Sequence, residues 1–236
     1  DAMPSLECAN RRIAQKVQLD FPITCGIDQA GRGPVIGPMV FCLVGCSPGQ
    51  LKELEALAVK DSKALSPSAR ETLFPEIKKV AIVETRMITA DELNRRMGGE
   101  NLNTIEMKAM AELIDRMAGE RTVYIDSPDP NPLRCASRVL SYCAGKNVKI
   151  IAEHKADAKY PVVSAASICA KVQRDNEIEK IKKEIGYDFN SGYPSDPMTI
   201  GFLTKHMDDS NVKKYLRKKW KTLDKIRQKQ KTLGEF

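Results

Sequence analysis

Histidine and tryptophan are almost missing, with two of the first and one of the second in 236 residues. His154 and His206 lie far apart, and the seven cysteines (positions 8, 25, 42, 46, 135, 143 and 169) never form a C-x-x-C pair, so the ligand spacing of a structural zinc site is lacking. An odd cysteine count also excludes a fully paired disulfide framework and suits reduced thiols. Cys42 and Cys46 fall in a stretch that reads as a buried strand, so they are expected in the core. No apolar run approaches the roughly 18 residues of a membrane span, and the N-terminus lacks a signal-peptide h-region. Repeats and low-complexity tracts are lacking too. There is no G-x-x-x-x-G-K-[ST] loop, and Gly31, Gly33 and Gly37 do not fit G-x-G-x-x-G, with Pro34 and Pro38 further opposing a dinucleotide-binding helix.

What is present is an ordinary globular balance, 42% hydrophobic and 29% charged, enough for one large domain or one domain plus an appendage. The net charge of +7 is concentrated. Residues 211–236 hold ten Lys and Arg against Asp224 and Glu235, a local balance of +8, so the other residues sum to −1. Within that tail Val212, Tyr215, Leu216, Trp220, Leu223 and Ile226 recur at helical spacing, which predicts an amphipathic helix with its lysines outward. Such a cluster is either a solvated helix face or a footprint for a polyanion; the aligned lysines favour nucleic acid.

Residues 1–20 read as a short helical lead-in. Ile23–Gln29 and Val35–Cys46, separated by Ala30-Gly-Arg-Gly-Pro34, form a strand–turn–strand signature. Helices are expected over 49–58, 67–79 (opened by Ser66-Pro67), 103–118, 131–144, 160–185 and 198–207, and strands over 80–88, 121–126 and 148–152. Strands come first and then alternate with helices, which predicts an α/β fold with a mixed sheet flanked by helices.

Asp28 follows Thr24-Cys-Gly-Ile27 inside an apolar strand, and Asp126 closes Val123-Tyr-Ile125. A strand is a poor place for aspartate, and an unpaired buried carboxylate is costly. Each has a structural explanation, capping a turn or pairing with a lysine, but Asp157 before a long helix makes a third. Convergent carboxylates repel unless cations sit between them, and hard oxygen ligands select Mg²⁺ or Mn²⁺. A site of this kind performs phosphodiester hydrolysis. The Gly31-Arg32-Gly33 turn suits close approach to a sugar–phosphate chain, or is a plain hairpin turn.

Five blocks carry a resemblance: Gly26-Ile-Asp-Gln-Ala-Gly-Arg-Gly-Pro-Val-Ile-Gly-Pro-Met39, Asp61-Ser-Lys63, Tyr124-Ile-Asp126, Lys155-Ala-Asp-Ala-Lys-Tyr-Pro-Val-Val-Ser-Ala-Ala-Ser-Ile168 and Ser191-Gly-Tyr-Pro-Ser-Asp-Pro197. In this order they resemble the type 2 ribonuclease H family (ribonuclease HII and the ribonuclease H2 catalytic subunit), in its archaeal or eukaryotic branch with archaeal preferred. The resemblance implies a ribonuclease-H-like domain over 21–190, a helical basic C-terminal extension over 191–229, and cleavage of the RNA strand of RNA–DNA hybrids. It extends to single ribonucleotides embedded in duplex DNA, cut on the 5′ side to leave a 3′-hydroxyl and a 5′-phosphate. It further implies that Asp28, the position of Gln29, Asp126 and Asp157 form the catalytic, metal-binding set, and that Gly31, Arg32 and Gly33 contact the ribose 2′-hydroxyl. Tyr193 is expected to stack on the sugar, Lys63 and Thr222 to hold phosphates, and Asn103 and Ser164 to touch the nucleic-acid backbone. A cytoplasmic location follows, or a nuclear one with accessory subunits if the source is eukaryotic.

The family's motif is Asp-Glu-Ala-Gly-Arg-Gly, and here Gln29 replaces the glutamate. An amide keeps one oxygen but loses the charge, so a metal should bind more weakly and activity should fall while substrate binding persists. Either a substitution introduced to trap a complex or natural variation accounts for it. The alternative is a non-catalytic hybrid-binding protein or assembly subunit; a two-metal phosphatase is a distant third. Finally, Gln230-Lys-Thr-Leu233-Gly-Glu-Phe236 resembles the peptide that binds the replication sliding clamp, with Gln230, Leu233 and Phe236 as anchors over a 230–236 tail.

Overall fold

A computed structural model describes residues 22–57, 59, 65–145 and 147–234, with side chains to 230. Five strands form one sheet: β1 (Ile23–Ala30), β2 (Met39–Cys46), β3 (Ile82–Ile88), β4 (Arg121–Asp126) and β5 (Val148–Glu153), in the order β3-β2-β1-β4-β5. β1 pairs parallel with β4, and β4 parallel with β5. Residues 31–38 alone join β1 to β2, too short for the crossover a parallel pair needs, so the sheet is mixed. β2 is buried at every position, as its continuous apolar run demands, whereas β4 alternates between its two faces.

The helices are α1 (Pro48–Ala56), α2 (Pro67–Val80), α3 (Ala90–Arg96), α4 (Leu102–Asp115), α5 (Pro132–Tyr142), α6 (Ala156–Lys159), α7 (Pro161–Ile185), α8 (Pro197–His206), α9 (Ser210–Lys213) and α10 (Lys221–Gly234). Local chemistry starts several of them. Ser47 and Gln50 form a reciprocal capping box on α1, Ser66 caps α2, Asn131 caps α5 and Asp196 caps α8, each followed by proline. The short α3, capped by Thr89, had no periodic signal long enough to announce it.

Two expectations need correction. Val35–Pro38 is not strand; the strand begins at Met39, and Ile36 makes an isolated antiparallel bridge to Leu216. The tail is not one helix from 211 either. It breaks between α9 and α10, because Leu216 takes part in that bridge and Arg217 is wholly buried, which a continuous solvent-facing helix cannot provide. The lead-in over 1–20 lies outside the described residues.

Two compact units result. The first contains residues up to Asp28, Phe41–Arg86 and Glu106–Cys169, and the second Gln29–Val40, Met87–Ile105 and Ala170 onward. Cys25, Ile27, Phe41, Leu43, Leu54, Ile77, Val123 and Ile125 are among the buried residues of the first. Val35, Ile36, Ile178, Ile181, Phe189, Phe202, Leu203, Leu216, Leu223 and Ile226 cluster in the second. Burying each large aliphatic or aromatic side chain contributes roughly 1.5–3 kcal/mol. All six described cysteines are buried thiols outside any disulfide, as expected of core residues, and burial pushes the pKa of Cys25 and Cys46 up to about 12.

Candidate active site

The acids lie in the first unit, and the parallel register places them. β1 and β4 pair from Ile23–Arg121 to Ile27–Ile125, and the next residue on each is an aspartate: Asp28, two residues before the end of β1, and Asp126, the last of β4. In-register residues of a parallel pair share a face. The same face carries Gly26 and Tyr124 two residues earlier, and Glu153 of β5, which is in register with Asp126.

Asp157 lies on α6, next to a residue bonded to the end of β4. The Ala156 N–H donates to Asp126 Oδ1 at 3.0 Å, which fixes the residue just before Asp157 against the end of β4. Asp28 and Asp157 are both buried. Glu153 takes a bond from the Lys159 ammonium on Oε2 and from the Tyr160 hydroxyl on Oε1, the latter at 2.9 Å. The Lys159 contact first, then Tyr160, holds the Glu153 carboxyl below the usual carboxylate range. Tyr160 stacks on Tyr124 with ring centroids 4.0 Å apart. The start of α7 then presses onto Gly26: a Cβ there would lie 2.3 Å from the Val162 carbonyl carbon and the Val163 nitrogen.

Among the described residues no group of three or more His, Cys, Asp or Glu side chains stands close enough to hold a metal ion. The donor chemistry nevertheless fits a hard divalent cation: the acids on offer, Asp28 on β1, Asp126 at the end of β4 and Asp157 on α6, supply carboxylate oxygens. Gln29, half-buried, follows Asp28 along β1 and begins the second unit.

The Gly31-Arg32-Gly33 turn belongs to the second unit, and it is built around Arg217. This guanidinium is fully buried and donates to three carbonyls, from Nε to Gly37 at 2.9 Å, from Nη1 to Arg32 at 3.1 Å and from Nη2 to Gly31 at 2.7 Å. Trp220 lies against it and donates from Nε1 to the Gly33 carbonyl at 3.2 Å. Gly31 requires glycine twice over, with φ at +84° and a Cβ position only 2.7 Å from the Pro38 carbonyl oxygen. Arg32 stays exposed, and its Nη2 donates to Asn103 Oδ1 at 2.9 Å. A Cβ on Gly33 would touch the Tyr193 ring at 3.3 Å. Arg174, itself buried, lies 5.3 Å from the centre of that ring and donates to the Ser191 carbonyl.

The remaining expected residues are divided between the two units. Ser164 is buried and its hydroxyl donates to the Val59 carbonyl, a tie within the first unit. Thr222 is half-buried near the start of α10. Gln230, on α10, donates from Nε2 to the Thr204 carbonyl at 2.7 Å. Lys63, Phe236 and the side chain of Leu233 lie outside what is described. Sequence reasoning missed Arg217, Trp220 and Arg174 as builders of the turn. No local signal marked Arg217, which follows Leu216 and opens a basic run with Lys218 and Lys219.

The five-stranded mixed sheet, its flanking helices and the C-terminal helices define an α/β protein of the ribonuclease-H-like fold. Residues 25–223 match the family Ribonuclease HII. Ribonuclease HII of Archaeoglobus fulgidus is 44% identical over 211 residues, spanning 89% of this chain and 98% of the relative. Among solved structures, the PCNA:RNase HII complex of the same organism is 41% identical with a TM-score of 0.77, covering 84% of this chain and 95% of that one. Ribonuclease H2 of Pyrococcus horikoshii is 38% identical with a TM-score of 0.79, covering 88% and 98%. The chain belongs to the ribonuclease HII family, the type 2 ribonuclease H endonucleases, and these relatives are archaeal.

Proposed function

We propose that this chain cuts the RNA strand of RNA–DNA hybrids, and single ribonucleotides embedded in duplex DNA, on the 5′ side of the ribonucleotide. Asp28, Asp126 and Asp157, with the weakened contribution of Gln29, would hold Mg²⁺ or Mn²⁺. When bound, such ions would supply activation of an attacking water and charge stabilisation for the departing oxygen. The protein's own part is to hold the carboxylates at one sheet end and to keep their charge available. The observation that supports the reading is the parallel register of β1 and β4 up to Ile27 and Ile125, the residues just before Asp28 and Asp126, with the Ala156 N–H of the Asp157 turn bonded to Asp126.

Recognition of the ribose falls to the Gly31-Arg32-Gly33 turn and Tyr193. Arg217 and Trp220 engage the carbonyls of all three turn residues, which holds the turn in one conformation. The 2′-hydroxyl is the feature that separates RNA from DNA at such a site. Gln29 removes one negative charge from the acidic set, so we assign this chain strongly reduced turnover with retained binding. Cleavage of a labelled duplex bearing one ribonucleotide, in Mg²⁺ and in Mn²⁺, beside Gln29→Glu, tests this. A large gain in the glutamate variant is expected; equal rates reject the charge argument. Binding with no cleavage by either protein would favour a non-catalytic hybrid-binding role.

The chain's partner outside nucleic acid would be a sliding clamp, engaged by Gln230, Leu233 and Phe236. Support comes from the relative solved with PCNA and from the sequence of the tail. Removing residues 230–236 should abolish clamp binding measured by calorimetry, and unchanged affinity rejects it. No helix among the described residues is long and apolar enough to cross a membrane.

A further inference from the structure

Asp157 sits on α6, a helix of only four residues whose N-cap, Lys155, adopts a left-handed conformation at φ 57° and makes no side-chain cap bond. One helical turn has no stability of its own, and the left-handed region is unfavourable for lysine. Contacts from outside the helix must therefore decide where Asp157 stands. At its front end the contact is the Ala156 N–H on Asp126. At its rear end it is Glu153, whose two carboxylate oxygens take the Lys159 ammonium and the Tyr160 hydroxyl. Tyr160 is in turn laid flat on Tyr124 of β4, at an interplanar angle of 26°.

We propose that Glu153 is a positioning residue for the acidic set: together with Lys159 and Tyr160 it staples the Asp157 turn to the sheet and so sets the affinity for divalent ions. This rests on the reading that Asp28, Asp126 and Asp157 hold those ions. Glu153 is in register with Asp126 and shares its face, so it is the fourth carboxylate at this end of the sheet. Its oxygens are turned to Lys159 and Tyr160, which neutralises it and keeps it from adding repulsion beside the other three. The Lys159 side chain is 58% exposed, so that ion pair is screened by water. The Tyr160 bond and the ring stack behind it make the stiffer half of the staple.

The test is a calorimetric Mn²⁺ titration of the chain as it stands and of Gln29→Glu, each with and without Glu153→Ala, Glu153→Gln and Tyr160→Phe, beside metal-free thermal melts. Outer partners of metal ligands commonly govern affinity by about 10–100-fold. Glu153→Ala is expected to weaken Mn²⁺ binding at least about tenfold, with smaller losses for Glu153→Gln and Tyr160→Phe, which keep part of the staple. Excess Mn²⁺ should restore kcat of Glu153→Ala in the Gln29→Glu background. A merely structural role would lower the melting temperature and leave the Mn²⁺ Kd of the folded protein in place, and that result overturns the proposal. If Glu153→Ala fails to fold, the two milder variants decide by the same Kd criterion. Absence of Mn²⁺ binding by both parent proteins instead overturns the reading of the acidic set.

Discussion

Gly26 and Val162 approach more closely than any side chain permits: a Cβ on Gly26 would lie 2.3 Å from the Val162 carbonyl carbon and 2.5 Å from its oxygen. This contact brings the start of α7 down on β1 two residues before Asp28, and α6 with Asp157 directly precedes it. Gly26→Ala must therefore push helix and strand apart. Overpacking of this kind costs about 1–3 kcal/mol. Urea unfolding should register that loss, and Mn²⁺ affinity should fall with it. A variant with unchanged stability and affinity would show that the close approach does not position the acids.

Arg217 offers a contrasting test in the second unit. Its planar fork reaches the carbonyls of Gly31, Arg32 and Gly37, a pattern that a single ammonium cannot reproduce. Arg217→Lys keeps the charge yet leaves buried carbonyls unsatisfied, each costing about 1–3 kcal/mol. Discrimination between a ribonucleotide-bearing duplex and plain DNA, measured by fluorescence anisotropy, should drop about tenfold or more. Mn²⁺ binding at the acids should not change. Retained discrimination would mean that the turn holds its shape without the fork.

The acids and the turn were legible because each is a local offence against propensity. Aspartate inside or at the end of an apolar strand and glycines flanking an arginine are signals that nearby sequence carries by itself. The strands were also legible as apolar runs, and a mixed sheet from their order along the chain, whereas the pairing order β3-β2-β1-β4-β5 was not. Arg217 was not legible. Its burial depends on carbonyls about 180 positions earlier in the chain, and no local pattern distinguishes it from the lysines beside it. The break between α9 and α10 was hidden for the same reason, since the bridge from Leu216 to Ile36 overrides a helical period that continues on both sides. Glu153 was passed over because its meaning comes from register with Asp126, a relation between strands.

Asp196 makes the turn around Tyr193 sensitive to acid. The Ser191 hydroxyl first, then the Ser191 and Met198 N–H groups, hold its carboxyl down to about 2, from an ordinary 3.8. A depressed carboxyl stabilises the fold fully above its unfolded value and loses that contribution as pH falls through the folded one. The stability difference between the chain and Asp196→Asn should thus be flat from pH 6 to about 4 and shrink between about 4 and 2. Urea unfolding across that range measures it. A difference as large at pH 2 as at pH 6 would remove the linkage.

Lysines of the basic extension should contribute unequally to nucleic-acid binding, according to what already occupies them. Lys214 is paired with Glu184 and lies 5.0 Å from the Tyr215 ring centre, so its charge is partly spent within the protein. Lys218, Lys219 and Lys221 are exposed beside the buried Arg217 and the half-buried Trp220, on a segment fixed to Asn94 by the Lys218 N–H at 2.7 Å. Each phosphate contact adds about 0.9 to the slope of log affinity against log salt for duplex DNA. Alanine at Lys218, Lys219 and Lys221 together should reduce the slope by up to about 3, weakening ribonucleotide-bearing and plain duplexes alike. Lys214→Ala should change it by a small fraction of one contact. Equal effects per lysine would assign the +8 tail to a diffuse field, and no effect from the triple variant would remove this surface from the nucleic-acid footprint.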